Sequence, residues 1–446
     1  MVTSPRTAPA RRSRPPEVPA AHVAVERFTL PNGLRVVLSP DPSVPAVGVA
    51  VAYDVGMRSE PEGRTGFAHL FEHLMFEGSE NVGKMQHAHL AQSAGGVMNG
   101  STHPDYTNYF EVLPSGALEL ALFLEADRMR APTLSQETLD NQISVVKEEI
   151  RVNVLNQPYG GFPWIPLPEL AFDTFANRHN GYGDFVDLDG ATLADAQQFF
   201  ADYYAPANAV LSVAGDLDVA ATREMVERLF DPVPRRAVPE RPSFAEPSLT
   251  APRHGVVTDR HAPQPALALA WRTPDPVDDL DDFLAAIVLA EVLTDGDASR
   301  LQRRLLLEDR SVTSLSGYLG AFGDPFDGRD PVLLTLEVLH PETTSAEQVA
   351  DTVAEELARL TRDGLPGEEL ARVQAHLAAT LLRMGDSLVG RVNALAVLEQ
   401  QHGRAELVGE LPGRLAAVPV EQVLAAAALL TPETRVMLEL QPVDAA

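Results

Sequence analysis

Residues 34–56 read LRVVLSPDPSVPAVGVAVAYDVG, and residues 254–274 read HGVVTDRHAPQPALALAWRTP. Each is a short β-type run, a polar turn and an apolar run, the signature of two strands. A long helical region follows each copy. The copies lie about 220 residues apart, far too long a period for a solenoid, so they predict two similar domains. Between them, residues 231–253 hold six prolines and little periodicity, which marks a linker. The expected organisation is a disordered tail over 1–24, an N-terminal domain over 25–232, a linker over 233–253 and a C-terminal domain over 254–446. The fold class is α+β, each domain a mostly antiparallel sheet with helices packed against it. RFTLPNGLRVVLSP (27–40) adds a hairpin around Pro-Asn-Gly, and TNYFEVLP (107–114) and NAVLSVAGD (208–216) read as further strands.

Composition removes several functions. The 446 residues contain no cysteine, which excludes disulfides, thiolate metal ligands and cysteine nucleophiles. Any metal must be held by nitrogen and oxygen. The formal net charge of −28 repels phosphate backbones, so nucleic acid is not an expected partner. No run is long and apolar enough for a membrane span. The first twenty residues carry Arg6, Arg11, Arg12 and Arg14. That resembles the composition of a mitochondrial transit peptide, but their prolines break an amphipathic helix, and a disordered tail is expected. Lys84 and Lys147 are the only lysines among 35 basic residues, a bias that fits a GC-rich genome. The expected location is the cytoplasm, with the mitochondrial matrix as the alternative that the Arg-rich start allows.

GRTGFAHLFEHLMFEGS (63–79) carries the chemistry. Phe67 to Phe76 reads as a helix, with Thr65 a candidate N-cap and Gly78 a stop. Phe67, Leu70, Phe71 and Leu74 share one face. His69 and His73 lie one turn apart on the other, where both imidazoles can reach one ion, and Glu72 is their neighbour. Two neutral imidazoles suit Zn²⁺, and a carboxylate beside the metal can deprotonate its water. H-x-x-E-H is the inverse of the H-E-x-x-H zinc helix. A catalytic zinc wants a third protein ligand. The segment 134–160, LSQETLDNQISVVKEEIRVNVLNQPYG, offers one on a second helix whose buried stripe is Leu139, Ile143, Val146 and Ile150. Periodicity puts Glu149 beside that stripe with Val145 and Val152, and Glu148 on the polar side with Asn141, Ser144 and Arg151.

HLFEH, SAGGVMNGSTHPDYTNYFEVLP (93–114), VVKEEI (145–150) and YYAPANAVLSVAGD (203–216) together resemble the pitrilysin (insulinase) family of zinc metallopeptidases. The similarity runs from about Val25 onward. It is nearest to the short-chain subgroup of bacterial processing peptidases and the mitochondrial processing peptidase β-subunit. The resemblance implies a zinc endopeptidase with ligands His69, His73 and Glu149, general base Glu72, and a fold forming one half of a clam-like chamber. It also implies that the strand near Asn99 is the edge on which an extended peptide substrate pairs. Many members have a Glu seven residues before the ligand Glu; here that position is Gln142, which can hydrogen-bond but supplies no charge. Self-sufficient members also carry an Arg and a Tyr, seven residues apart, that grip the substrate. In ASRLQRRLLLEDRSVTSLSGYLG (298–320) those places fall on Leu306 and Thr313. The implication is a catalytic subunit whose homologous partner chain brings the Arg–Tyr pair. The alternatives are a non-catalytic scaffold subunit and a mitochondrial presequence-processing subunit. His87, His89 and His103 read as solvated histidines, and YGGFPW (159–164) as a cleft lining or ordinary packing.

Overall fold

The structure is a computed structural model that describes residues 23–443 apart from Pro239 and Pro242. The expected tail therefore lies outside the described residues up to position 22, and Val23 already packs against the protein. Six strands form the first sheet: β1 (Glu26–Thr29), β2 (Arg35–Pro40), β3 (Ala46–Tyr53), β4 (Val97–Thr102), β5 (Thr107–Pro114) and β6 (Ala209–Gly215). Their order is β1-β2-β6-β3-β5-β4. Five form the second: β7 (Arg253–Asp259), β8 (Ala266–Arg272), β9 (Ser314–Leu319), β10 (Leu333–Leu339) and β11 (Val436–Pro442), in the order β7-β11-β8-β10-β9. Remove β1 and the two orders match strand for strand. Each sheet has one parallel pair, β2 with β6 and β7 with β11, and is otherwise antiparallel. The two strands of each repeated stretch are not neighbours, because the last strand of each half inserts between them.

The expected hairpin forms, with Glu26 opposite Leu38 and Thr29 opposite Arg35. Its turn needs Gly33, whose φ is +98° and whose missing Cβ would lie 2.7 Å from Ala207 Cβ.

β3 is apolar at nearly every position because both of its faces are covered. Val47, Val49 and Val51 face a core shared with the helices Phe67–Leu74, Leu118–Arg130 and Gln136–Ile150. The alternate residues Ala50 and Ala52, with Val37, Val210 and Ala214, meet Val392, Leu395 and Ala396. Those three belong to the helix Leu388–His402, from the other half of the chain. Small residues let that helix close on the sheet: a Cβ on Gly48 would sit 2.8 Å from Val392 Cγ1, and Ser212 Oγ donates to Val392 O at 2.6 Å. The second sheet receives the reverse favour. Ala266, Ala268, Ala270 and Leu438 pack against Phe162, Leu167, Ala171 and Phe172 from the first half. Its opposite face buries Leu267, Leu269 and Trp271 under the helix Leu280–Thr294. Full burial of each Leu or Val in these seams contributes about 1.5–3 kcal/mol.

The proline-rich connection is strapped down rather than loose. The Glu246 carboxylate accepts from the amides of Asp173 and Thr174, each at 2.9 Å, and Arg236 Nη2 donates to Met129 O at 2.9 Å. Among the described residues, no helix is long and apolar enough to cross a membrane.

Candidate metal centre

The helix Phe67–Leu74 buries Phe67, Ala68, Leu70, Phe71 and Leu74, and leaves His69, Glu72 and His73 on its half-buried face. Its start differs from expectation. Thr65 does not cap it; the Thr65 hydroxyl donates to Asp187 at 2.7 Å instead. The N-cap position is Gly66 in a left-handed conformation, and a Cβ there would meet Gly183 Cα at 2.5 Å. Glu60 supplies the missing acceptor. Its Oε2 accepts from Gly66 N–H at 2.8 Å and its Oε1 from Ala68 N–H at 2.7 Å. The buried Glu60 also lies 3.0 Å from His179 Nε2. A carboxylate at a helix N-terminus is stabilised by the free amides and the dipole, so the helix is pinned one turn before His69.

The second helix, Gln136–Ile150, is N-capped by Ser135 and buries Leu139, Gln142, Ile143, Val146 and Ile150. Glu148 points outward and pairs with Arg151 at 3.1 Å. Glu149 turns toward the histidines. Val145 and Val152, on the flank read as adjoining the core, stay exposed.

His73 Nε2 lies 3.3 Å from His69 Nε2 and 3.4 Å from Glu149 Oε2, and His69 Nε2 is 3.9 Å from the same oxygen. A tetrahedral zinc with bonds of 2.0–2.1 Å needs ligand atoms about 3.4 Å apart, so these three fit it. Glu149 Oε1 is held by the Tyr182 hydroxyl, which donates to it. Tyr182 is absent from the sequence reading; no periodicity or spacing in HNGYGDF marks it. The contact with His73 holds the Glu149 carboxyl down to about 2, assisted by the Tyr182 hydroxyl. Burial lowers His69 to about 4, and its neighbour His73 works in the same direction. Burial also opposes charging of His73, but the contact with Glu149 and the Glu72 charge outweigh it and raise the imidazole.

Glu72 lies beside this set without joining it. Burial pushes its carboxyl up, against the Thr102 hydroxyl, which donates to Oε2 at 2.6 Å. The other oxygen faces Gly100, where a Cβ would come within 3.2 Å of Oε1 and of the Phe76 ring. Glycine at 100 is what lets edge strand β4 run this close to the carboxylate. Asn99 is exposed on that strand, opposite Phe110, and strand alternation turns its side chain away from Glu72. Only its backbone borders the site.

Two other groups could converge on an ion among the described residues. His87, expected to be solvated, is buried 3.6 Å from Glu111, with Glu125 beside them. The fully buried Arg128 pairs with Glu125 and lies 4.2 Å over the Tyr109 ring. A fixed cation thus already occupies that cluster's electrostatic role. Burial lowers His87 to about 4, with Arg128 adding to the effect. Glu291, Asp295 and His376 gather on the surface of the second half, where burial and Asp295 push Glu291 up to about 7. His103 is also less solvated than expected: it stacks on Tyr106 at 4.3 Å and contacts Ser101 Oγ at 3.0 Å. His89 is exposed, as read.

Leu306 packs against the second core, and Thr313 exchanges hydrogen bonds with Gln264 and Leu339. These contacts all lie in the second half. YGGFPW divides its roles: Phe162 packs under the second sheet, while Trp164 lies 5.4 Å from Tyr182 and 5.7 Å from Phe322. His69, Tyr182, Trp164 and Phe322 form an aromatic wall running from the site to the second half.

Two imidazoles and a carboxylate from two helices, with a second carboxylate beside them, make a donor set that could hold a divalent metal. The chain belongs to the insulinase (M16) peptidase family. The model described as Insulinase (Peptidase family M16) matches residues 35–159, and that described as Peptidase M16 inactive domain matches residues 190–377. The chain is 30% identical to the zinc protease PqqE of Helicobacter pylori over 289 residues, 64% of each chain. It is 25% identical to the uncharacterized zinc protease YmxG of Bacillus subtilis over 90% of this chain and 94% of that one. A crystal structure of a protease from Helicobacter pylori shares the fold, with a TM-score of 0.87 and 24% identity over 94% of this chain and all of the other.

Proposed function

We propose that this chain is a zinc endopeptidase that cleaves peptides or unfolded segments, and that it is the catalytic half of a two-chain enzyme. The observation that carries the reading is the convergence of His69 Nε2, His73 Nε2 and Glu149 Oε2 to 3.3–3.9 Å with Glu72 alongside. Zinc held by those atoms supplies Lewis acidity for hydrolysis. Glu72 is the general base. Thr102 occupies its Oε2, which leaves Oε1 to take a proton from the attacking water and deliver it to the leaving amine. Burial raises the Glu72 carboxyl, which makes it a stronger base than a solvated carboxylate. An extended peptide adds to the free edge of β4 near Asn99 through main-chain hydrogen bonds, so recognition is chiefly of backbone.

The two-chain part rests on Leu306 and Thr313. Neither can present the charged, multi-donor head of an Arg to a substrate carbonyl. Val97 and Val145 are exposed apolar residues on the elements that carry the site, and Val152 and Leu155 are exposed on the segment that follows the Glu149 helix. They offer surface for a substrate or a facing homologous chain. The intact ligand set argues against a scaffold role.

Metal analysis and peptide cleavage of two variants test the reading. Glu72→Gln should keep one zinc per chain and lose turnover, while His73→Ala should lose the zinc. Equal zinc loss in both would make Glu72 a ligand and remove the assignment. The purified chain alone should cleave poorly and gain at least tenfold on mixing with a homologous chain that carries the Arg–Tyr pair. Full activity of the isolated chain would defeat the two-chain part.

A further inference from the structure

Gln142 is buried, and its two ends face different partners. Its Oε1 lies 3.2 Å from His73 Nδ1, and its Nε2 donates to Glu77 Oε1 at 2.6 Å. Glu77 is itself only 3% exposed, and its Oε2 lies 2.7 Å from Lys84 Nζ. A carboxylate can accept hydrogen bonds but not donate them. It therefore draws the NH₂ of Gln142 toward itself and leaves the amide carbonyl facing His73. That carbonyl can only accept, so it draws the His73 proton to Nδ1, in competition with the Glu149 carboxylate 3.4 Å from Nε2. A neutral imidazole protonated at Nδ1 has its lone pair at Nε2. Nε2 is the atom that converges with His69 and Glu149. Among the described residues His69 has no such arrangement: its Nδ1 is buried without a hydrogen-bond partner. Control of the tautomer therefore acts at His73 alone.

We propose that Glu77 is a positioning residue that fixes, through the orientation of the Gln142 amide, the His73 tautomer competent to bind the metal. The inference rests on the zinc reading of the site and deepens it. A carboxylate behind a metal-binding histidine orients the ring and raises its basicity. Here that carboxylate stands one amide further back, so Gln142 transmits its effect rather than replacing it.

The test compares wild type, Glu77→Gln, and the exchanged pair Glu77→Gln with Gln142→Glu. Glutamine at 77 can present either end to Gln142, so the amide loses its fixed direction. The exchanged pair returns a carboxylate to His73, with an amide behind it to donate. Two readouts are taken on each protein: zinc affinity by chelator competition, and the His73 ring nitrogens in metal-free, ¹⁵N-histidine-labelled protein at about pH 9, above the ordinary imidazole range. Wild type should show Nδ1–H as the major tautomer. Glu77→Gln should shift the ratio toward Nε2–H and bind zinc about tenfold more weakly, at the lower end of outer-shell effects. The exchanged pair should recover most of that loss, which a purely structural role for Glu77 would not produce. Unchanged tautomer and affinity in Glu77→Gln would overturn the proposal, as would an exchanged pair no better than the single variant. Failure of wild type to bind zinc would instead remove the reading of the site, and the nitrogen spectra would still report on the relay.

Discussion

Replacing Glu60 with Gln removes an acceptor oxygen and no volume, and it should loosen the start of the histidine helix, although burial pushes the Glu60 carboxyl up against the pull of His179 and the two amides. The carboxylate accepts from two backbone amides, at 2.8 and 2.7 Å, and faces His179 at 3.0 Å. Gln offers one acceptor and one donor. His179 can adapt, because its Nδ1 is anchored on Phe175 O at 2.8 Å and its Nε2 can then accept from the new NH₂. Gly66 and Ala68 cannot adapt, since both are donors. Either amide orientation leaves one of them against an NH₂, buried and unsatisfied. A lost hydrogen bond to a charged group costs about 1.5–3 kcal/mol, and stranding a buried donor adds about 1 or more, for a total of about 2–4 kcal/mol. Urea unfolding of the metal-free protein reads this as a lower midpoint at unchanged slope. Zinc affinity should fall as well, because the freed turn directly precedes His69. A stability change within about 0.5 kcal/mol would refute the capping argument.

Three further outcomes follow from the geometry. Glu148→Gln should leave zinc content unchanged while Glu149→Gln removes it, since only Glu149 faces the imidazoles; metal analysis of both proteins decides. Gly100→Val should lower kcat at least tenfold with zinc retained, because even a bare Cβ comes within 3.2 Å of Glu72 Oε1; an unchanged kcat would mean that β4 simply moves aside. Asp41 is held down to about 2 by its hydrogen bond from Arg391, on the helix that crosses to the first sheet. A depressed carboxyl stabilises the fold above its unfolded value near 4 and loses that contribution as pH falls from about 4 to 2. The pair is partly exposed, so the gain is below about 1 kcal/mol, and Asp41→Asn should flatten the acid limb of stability by that amount.

The features legible in the sequence are those written in one element. The stripe of Leu139, Ile143, Val146 and Ile150 and the phase of Glu149 follow from a 3.6-residue period alone. The matching strand orders echo the repeat of residues 34–56 in 254–274. What stayed hidden depends on partners far along the chain. His87 looks like a surface residue until β5 brings Glu111 and the helix Leu118–Arg130 brings Glu125 and Arg128. Thr65 has the chemistry of an N-cap, but Glu60 reached the same amides first. Tyr182 touches Glu149 across 33 residues that carry no periodic signal.

Each sheet is roofed by a helix from the opposite half: Leu388–His402 lies over the first, and Pro166–Ala171 over the second. The peptide link at 233–253 is then not what keeps the halves together. Cutting the backbone there should give a nicked molecule that still migrates as one particle and melts in one cooperative step. Neither fragment expressed alone would have a finished core, because each would expose the alanine-rich sheet face meant for the other's helix. Reconstitution from two separately made fragments would have to assemble both seams at once, so the metal ligands would come into place only when the whole chain had closed on itself.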